Sequence, residues 1–188
     1  MRSEAESTRA LRRRSPAITP AVGGGDGCAG YLRRKGAEVL LLLGADQGDV
    51  RSTFARAEEA IAARCGPVLA RSRDHWTEPW GFAGPALFLN RALLIGTALA
   101  AEVLMDRLLG IERELGRVRG GEGYASRCID IDILLWGAER IDRPGVQVPH
   151  PRLHERAFAL APAADLLPLT VPPGRDRTLL QLLDDRRR

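Results

Sequence analysis

The chain has 188 residues, 45% of them hydrophobic and 28% charged, which suits one well-cored domain and is short for two. Its formal charge of +4 is carried almost wholly by arginine, with Lys35 the only lysine; planar oxyanions suit arginine, but charge alone does not choose among nucleic acid, membrane surface and nucleotide phosphate. No apolar stretch is long enough to span a bilayer, no secretory signal is visible, and Cys28, Cys65 and Cys128 are too scattered for a disulfide framework or a zinc site, so a cytoplasmic protein with reduced thiols is expected.

Residues 1–35 contain Arg12-Arg13-Arg14, Gly23-Gly24-Gly25, Pro16 and Pro20 and few apolar side chains, and they read as a disordered basic extension. The folded domain is expected over residues 36–188. Residues 39–43 are a continuous apolar run ending at Gly44, the pattern of a buried strand. Asp49 can cap a helix whose apolar face is Val50, Phe54, Ala57 and Ile61, and Gly66-Pro67 stops it. Residues 68–76 read as a second strand, 77–85 as a Pro- and Gly-rich loop, and 87–95 as a third strand. Thr97 is positioned to cap a second helix running to about Leu115, with the stripe Leu104, Leu108, Ile111 and Leu115. A Gly- and Arg-rich loop (116–126), a fourth strand (129–136), short strands at 140–142 and 147–148, and helices near 155–166 and 179–184 complete the chain. The order β-α-β-β-α-β is that of a ferredoxin-like core. The expected fold class is therefore α+β, with αβα layers, extra short strands and C-terminal helices.

The chemistry concentrates in Ile129-Asp130-Ile131-Asp132-Ile133. A side-chain period of two places Asp130 and Asp132 on one strand face and Ile129, Ile131, Ile133 and Leu135 on the other. The two aspartate Cα atoms would be about 6.6 Å apart. Adjacent carboxylates repel and lose hydration in a strand, so something must offset them. Hard divalent cations bind such oxygens, and a two-metal phosphoryl-transfer site would suit the pair. Taken alone, a solvated strand face with two ordinary aspartates is the simpler reading. Arg117, Arg119 and Arg127 shift the balance toward a metal–nucleotide site, because arginines clamp transferring phosphoryl groups. Gly116, Gly120, Gly121 and Gly123 would let their loop close as a lid, with Arg117 and Arg119 swinging together onto the phosphates. Glu112 falls on or beside a buried helix stripe, where it either pairs with an arginine or holds a ligand's polar edge. His150, between Pro149 and Pro151, sits in a rigid turn that could contact phosphate or simply be hydrogen-bonded. Trp80, Phe88 and Asn90 are either core residues or the means of recognising a flat heterocycle.

Together, Gly116-Arg-Val-Arg119, Ser126-Arg-Cys-Ile-Asp-Ile-Asp-Ile-Leu134 and Val148-Pro-His-Pro-Arg-Leu-His-Glu-Arg156 resemble the 6-hydroxymethyl-7,8-dihydropterin pyrophosphokinase family, and Thr77-Glu-Pro-Trp-Gly-Phe82 and Phe88-Leu-Asn90 extend the likeness over residues 38–184. The resemblance implies transfer of the ATP diphosphate to the pterin hydroxymethyl group, leaving AMP, in folate biosynthesis. It implies that Asp130 and Asp132 ligate two Mg2+ ions and that Arg117, Arg119 and Arg127 contact or close over the triphosphate, with His150 and Arg156 nearby. Glu112 and Ile133 would border the adenosine. The pterin would stack between Phe88 and Phe158, with Asn90 bonding its edge, Thr77 and Trp80 giving main-chain contacts, and Tyr124 covering the site. A monomer acting on two small substrates is implied, with no nucleic-acid or membrane partner. Two positions depart from the family pattern: Gly44-Ala45-Asp46 stands for Gly-Ser-Asn, and Cys128 for threonine. Two other classes compete. An RNA-binding module would need exposed aromatics interleaved with basic residues on the sheet. A metal-dependent nuclease would share the paired carboxylates but need no ATP.

Overall fold

Strand β1 (Ala37–Ala45) is apolar along most of its length because both of its faces are covered: Val39, Leu41 and Leu43 meet one helical layer, Leu40 and Leu42 the other. The structure, a computed structural model, describes residues 36–80, 87–117 and 127–187. Helix α1 (Val50–Arg64) begins at Asp49, whose Oδ1 accepts the Ser52 amide at 3.1 Å. The chain leaves the helix through Gly66 at φ 133°, a conformation open to glycine. The expected face of Val50, Phe54, Ala57 and Ile61 is buried, and Glu58 is buried with it. Glu58 is tolerated there because it accepts hydrogen bonds from Arg91 at 2.8 Å and from Arg71.

The second strand expected over 68–76 is two strands, β2 (Val68–Arg71) and β3 (His75–Thr77), both paired antiparallel with β4 (Phe88–Thr97). The break has a local cause. The Ser72 hydroxyl takes the Ala92 amide at 2.9 Å, a bond that a regular ladder gives to a backbone carbonyl, and Asp74 turns to accept the Arg91 guanidinium. Thr97 also departs from expectation. It ends β4 three residues before the N-cap of the next helix, and its buried hydroxyl donates to the Cys65 carbonyl at the end of α1 at 2.7 Å while accepting the Leu99 amide at 3.2 Å. Helix α2 (Ala101–Glu114) starts at Ala100 with no side-chain cap. Its buried face holds Leu104, Leu108 and Ile111, as the spacing predicts, together with Glu112.

Strand β5 (Asp130–Trp136) lies antiparallel to β1, with Asp130 beside Gly44 and Asp132 beside Leu42. The register slips between Leu40 and Leu41, leaving Leu134 as an extra residue in β5. Beyond that bulge the faces exchange. Leu135 packs with Leu134 on the aspartate side, not with Ile129, Ile131 and Ile133 as strict alternation predicts, and Trp136 joins the isoleucines. Strands β6 (Ile141–Arg143) and β7 (Val146–Val148) form a separate hairpin. After a cis Val148–Pro149 peptide and a 3-10 turn (Leu153–Glu155) come helices α3 (Ala157–Leu166) and α4 (Leu179–Arg187).

The main sheet is antiparallel in the order β2-β4-β1-β5, with β3 also paired to β4. Helices α1 and α2 pack on one face of it and α3 and α4 on the other. Among the described residues no helix is long and apolar enough to cross a membrane.

Candidate active site

The sheet face toward α3 is incompletely covered near the ends of β1, β4 and β5, and a cleft of about 260 Å³ opens there. Register decides its floor. Gly44 lies opposite Asn90 on β4 and beside Asp130 on β5, so one row of the sheet brings a small residue, an amide and a carboxylate together. Leu42 and Asp132 lie one step further in on the same face.

One side of the cleft is charged. Arg127 Nη1 bonds Asp130 Oδ2, while Arg117 Nη1 bonds Asp130 Oδ1 and, at 2.6 Å, Glu112 Oε1. Arg156 Nη1 lies 3.6 Å from Asp132 Oδ2, and His150 Nε2 lies 4.0 Å from the same oxygen. Burial, and then the neighbouring Asp130 charge, push the Asp132 carboxyl up to about 6. Burial and the Arg156 charge push His150 down to about 4, so the imidazole is neutral at pH 7. The Arg152 amide donates to its Nδ1 at 3.1 Å, and Arg156 Nη1, which can only donate, stands 3.4 Å from its Nε2, so both ring nitrogens face donors.

The other side is aromatic. Trp80 lies under two guanidinium groups, Arg152 at 4.4 Å and Arg156 at 5.3 Å from its ring centroid, and its centroid is 6.0 Å from that of Phe158. Phe88 carries Arg127 over its ring at 6.0 Å. Asn90 is buried, and its Nδ2 donates to Thr77 Oγ1 at 2.9 Å.

Eleven expected site residues fall in described segments and line or back this cleft: Arg117, Arg127, Asp130, Asp132, His150 and Arg156 on the charged side, Thr77, Trp80, Phe88, Asn90 and Phe158 on the aromatic side. Two others stand behind it. Glu112 is 1% exposed and accepts the Ile131 amide at 2.7 Å, and the Ile133 side chain is packed into the core against α1 and α2. Any contact Ile133 makes with a ligand must therefore come through its main chain. Arg119 and Tyr124 lie outside the described residues. Arg117 does not have the freedom expected of a lid residue: it directly follows the turn at Gly116 (φ 95°), and both Glu112 and Asp130 hold its guanidinium.

The sequence model of the 7,8-dihydro-6-hydroxymethylpterin-pyrophosphokinase (HPPK) family matches residues 40–168. The chain belongs to this family. Among its relatives, the 2-amino-4-hydroxy-6-hydroxymethyldihydropteridine pyrophosphokinase of Porphyromonas gingivalis is 38% identical over 137 residues, covering 71% of this chain and 93% of that protein. The protein of the same name in Methylorubrum extorquens is 40% identical over 144 residues, covering 76% of this chain and 90% of that one. A solved HPPK-DHPS structure in complex with substrates superposes with a TM-score of 0.66 at 11% identity, over 80% of this chain and 43% of the other. At that identity the likeness speaks for the fold, and this chain spans less than half of that longer one.

Within an HPPK domain, the departure at Asp46 acquires a structural meaning. Its Oδ1 accepts the Arg127 amide at 2.6 Å while its own amide donates to the Arg127 carbonyl at 3.1 Å, so the end of β1 holds the entrance to β5 from both sides. Cys128, the other departure, packs half-buried against the core. Glu78 also lines the cleft. Neither the Asp46 contact, across 81 residues, nor the position of Glu78 had a signal in local spacing.

Proposed function

We propose that the cleft binds ATP along its charged side and a reduced pterin along its aromatic side. The chain transfers the β,γ-diphosphate of ATP to the hydroxymethyl group of 6-hydroxymethyl-7,8-dihydropterin and releases AMP, as the family's biosynthetic role requires. The observation that carries this reading is the pair Asp130 and Asp132 on one face of β5, between a cluster of arginines and a group of aromatic rings in a single cleft. The sheet order, with two helices on each face, also supports a ferredoxin-like core extended by a hairpin and two C-terminal helices. The same reading makes the protein a cytoplasmic monomer with two small substrates.

The donor set fits Mg2+. Asp130 and Asp132 offer only hard oxygens, and the Asp132 charge is incompletely compensated, as the upward displacement of its carboxyl records. Among the described residues no third carboxylate, histidine or cysteine completes a protein-only metal cage. That suits Mg2+, which is commonly held by one or two carboxylates together with substrate phosphates. When bound between Asp130, Asp132 and the phosphates, two such ions would neutralise charge on the diphosphate in flight.

In the transfer, the pterin hydroxyl oxygen bonds the β-phosphorus as the bond from that phosphorus to the oxygen bridging it to the α-phosphorus breaks; the hydroxyl proton is lost and AMP leaves. Arg127 and Arg156 approach from opposite edges of the aspartate pair and give planar donors to the phosphate oxygens. His150, neutral at pH 7, lies beside the phosphates without adding charge. Phe88 and Phe158 sandwich the pterin ring, and Asn90, its amide fixed by Thr77, bonds the pterin edge. The decisive experiment is AMP release with ATP, Mg2+ and the reduced pterin. Release that depends on the pterin supports the reading, and ATP turnover indifferent to pterin overturns it.

The aromatic side gives a separate expectation. Phe88→Ala and Phe158→Ala each weaken pterin affinity by about three- to tenfold, from lost stacking of about 0.5–1.5 kcal/mol. ATP affinity, measured by calorimetry without pterin, changes less. Equal losses for both ligands would place the two rings in the core and not at the ligand.

A further inference from the structure

Helix α3 touches the cleft at one end and the approach to β3 at the other. Arg156 and Phe158, at its start, line the cleft. Asp165, in its last turn, reaches away from it. Asp165 Oδ1 accepts Arg73 Nη2 at 2.7 Å, and Oδ2 accepts the Arg73 amide and Nε at 3.2 Å each and His75 Nε2 at 2.8 Å. His75 begins β3 and lies opposite Asn90 on β4. Two residues on, Thr77 Oγ1 holds the Asn90 amide, and three further on Trp80 returns to Phe158. The segment 75–80 is thus held at both ends by one helix, through Asp165 at the helix end and Phe158 at its start.

The first of these attachments is well built. Only 15% of the Asp165 side chain and 19% of the His75 side chain are exposed. Although burial raises the Asp165 carboxyl, the bonds from Arg73 and His75 bring it down to about 2, so it is an anion with acceptors only. That fixes His75 Nε2 as the donor. Neither Asp165 nor His75 lines the cleft.

We infer that the Asp165–His75 contact is a positioning device for the pterin side of the cleft: it fixes the strand that presents Thr77, Asn90 and Trp80, and through them the pterin, without touching either substrate. The inference rests on the assignment of that side to the pterin. A contact that only added global stability would shift both substrates and the melting temperature together. A positioning contact acts selectively on the pterin.

The test uses the full chain and the variants Asp165→Ala, His75→Ala and His75→Gln, the last keeping an N–H donor close to the position of Nε2. His75→Ala, which loses one charge-assisted hydrogen bond, is expected to raise the KM for pterin about tenfold, and Asp165→Ala, which loses the three Arg73 bonds as well, by at least as much. His75→Gln should stay within a few-fold of the parent, and kcat and the ATP dissociation constant should hold in all three. Hydrogen exchange should speed up at the amides of residues 75–80 in both alanine variants and not in His75→Gln. If Asp165→Ala does not fold, His75→Ala, which leaves the Arg73 bonds to Asp165, decides alone. An unchanged pterin KM in the alanine variants, or an equal loss of ATP affinity, overturns the inference. Should the parent show no pterin-dependent AMP release, the substrate assignment is what fails. The exchange pattern at 75–80 then decides whether Asp165 and His75 position the strand.

Discussion

Asp130→Ala and Asp132→Asn are each expected to lower turnover by about three orders of magnitude, or ~4 kcal/mol of barrier, since each removes a carboxylate proposed above to hold a charge-neutralising metal at the reacting phosphates. The two carboxylates are not equivalent in the protein without metal. Asp130 has a guanidinium against each of its oxygens, whereas Asp132 has Arg156 no nearer than 3.6 Å and is pushed up to about 6. A folded-state value above the ordinary 3.8 means that the folded protein holds this proton more tightly than the unfolded chain does. The resulting stabilisation is full below about 3.8 and disappears as the pH rises through about 6, leaving a partly buried, poorly compensated charge at pH 7.5. Asp132→Asn removes that charge and should stabilise the metal-free protein at pH 7.5 by on the order of 1–2 kcal/mol, with a smaller gain at pH 5. Mg2+ needs the ionised carboxylate, so its stabilisation of the parent should weaken as the pH falls below 6. Thermal melts at the two pH values with and without Mg2+, alongside AMP-release rates, check all of this. Turnover within a few-fold of the parent in either variant would remove the aspartates from the chemistry.

The aspartate pair was readable because its signal is local. A period of two along β5 is written in five consecutive residues, and the Asp49 cap and the α1 and α2 stripes are equally local. What escaped the sequence depends on partners far along the chain. Leu135 changes face because of a bulge against β1, and nothing in Ile133-Leu134-Leu135 announces it. Thr97 looks like a helix cap, but β4 runs on to include it, the helix begins at Ala101, and its hydroxyl ties β4 to the Cys65 carbonyl 32 residues earlier. The strand expected at 68–76 breaks because Ser72 and Asp74 bond to β4, 17–20 residues away. Most of the cleft's residues could be named from linked motifs. Their geometry could not, because it is fixed by contacts such as Asp46 with Arg127 and Asp165 with His75, across 81 and 90 residues.

Arg117→Ala should destabilise the fold by about 3 kcal/mol as well as slow the reaction, because the guanidinium it removes compensates a buried carboxylate. Glu112 has 2% of its side chain exposed, and its Oε1 accepts both Arg117 Nη1 at 2.6 Å and the Ile131 amide at 2.7 Å. One oxygen thereby ties the end of α2 to β5 at the level of Asp130. The Arg117 amide donates to the Glu112 carbonyl at 3.0 Å, so the backbone is held as well as the side chain. An arginine that swung in only over bound substrates would leave stability untouched and lower kcat alone. An arginine already docked on Asp130 is positioned before ATP arrives, so its loss weakens ATP binding, lowers kcat and exposes an uncompensated charge inside the protein. The paired variant Arg117→Met/Glu112→Gln separates these effects. Removing both charges and keeping the volume should recover most of the lost stability, since neutral replacement of a buried ion pair is often close to neutral. Turnover should stay low, because the Arg117 guanidinium no longer faces the phosphates. Urea unfolding midpoints and AMP-release rates on the two variants decide the matter: an Arg117→Ala protein as stable as the parent, with normal ATP affinity and a depressed kcat, would restore the swinging arginine and reject the docked one.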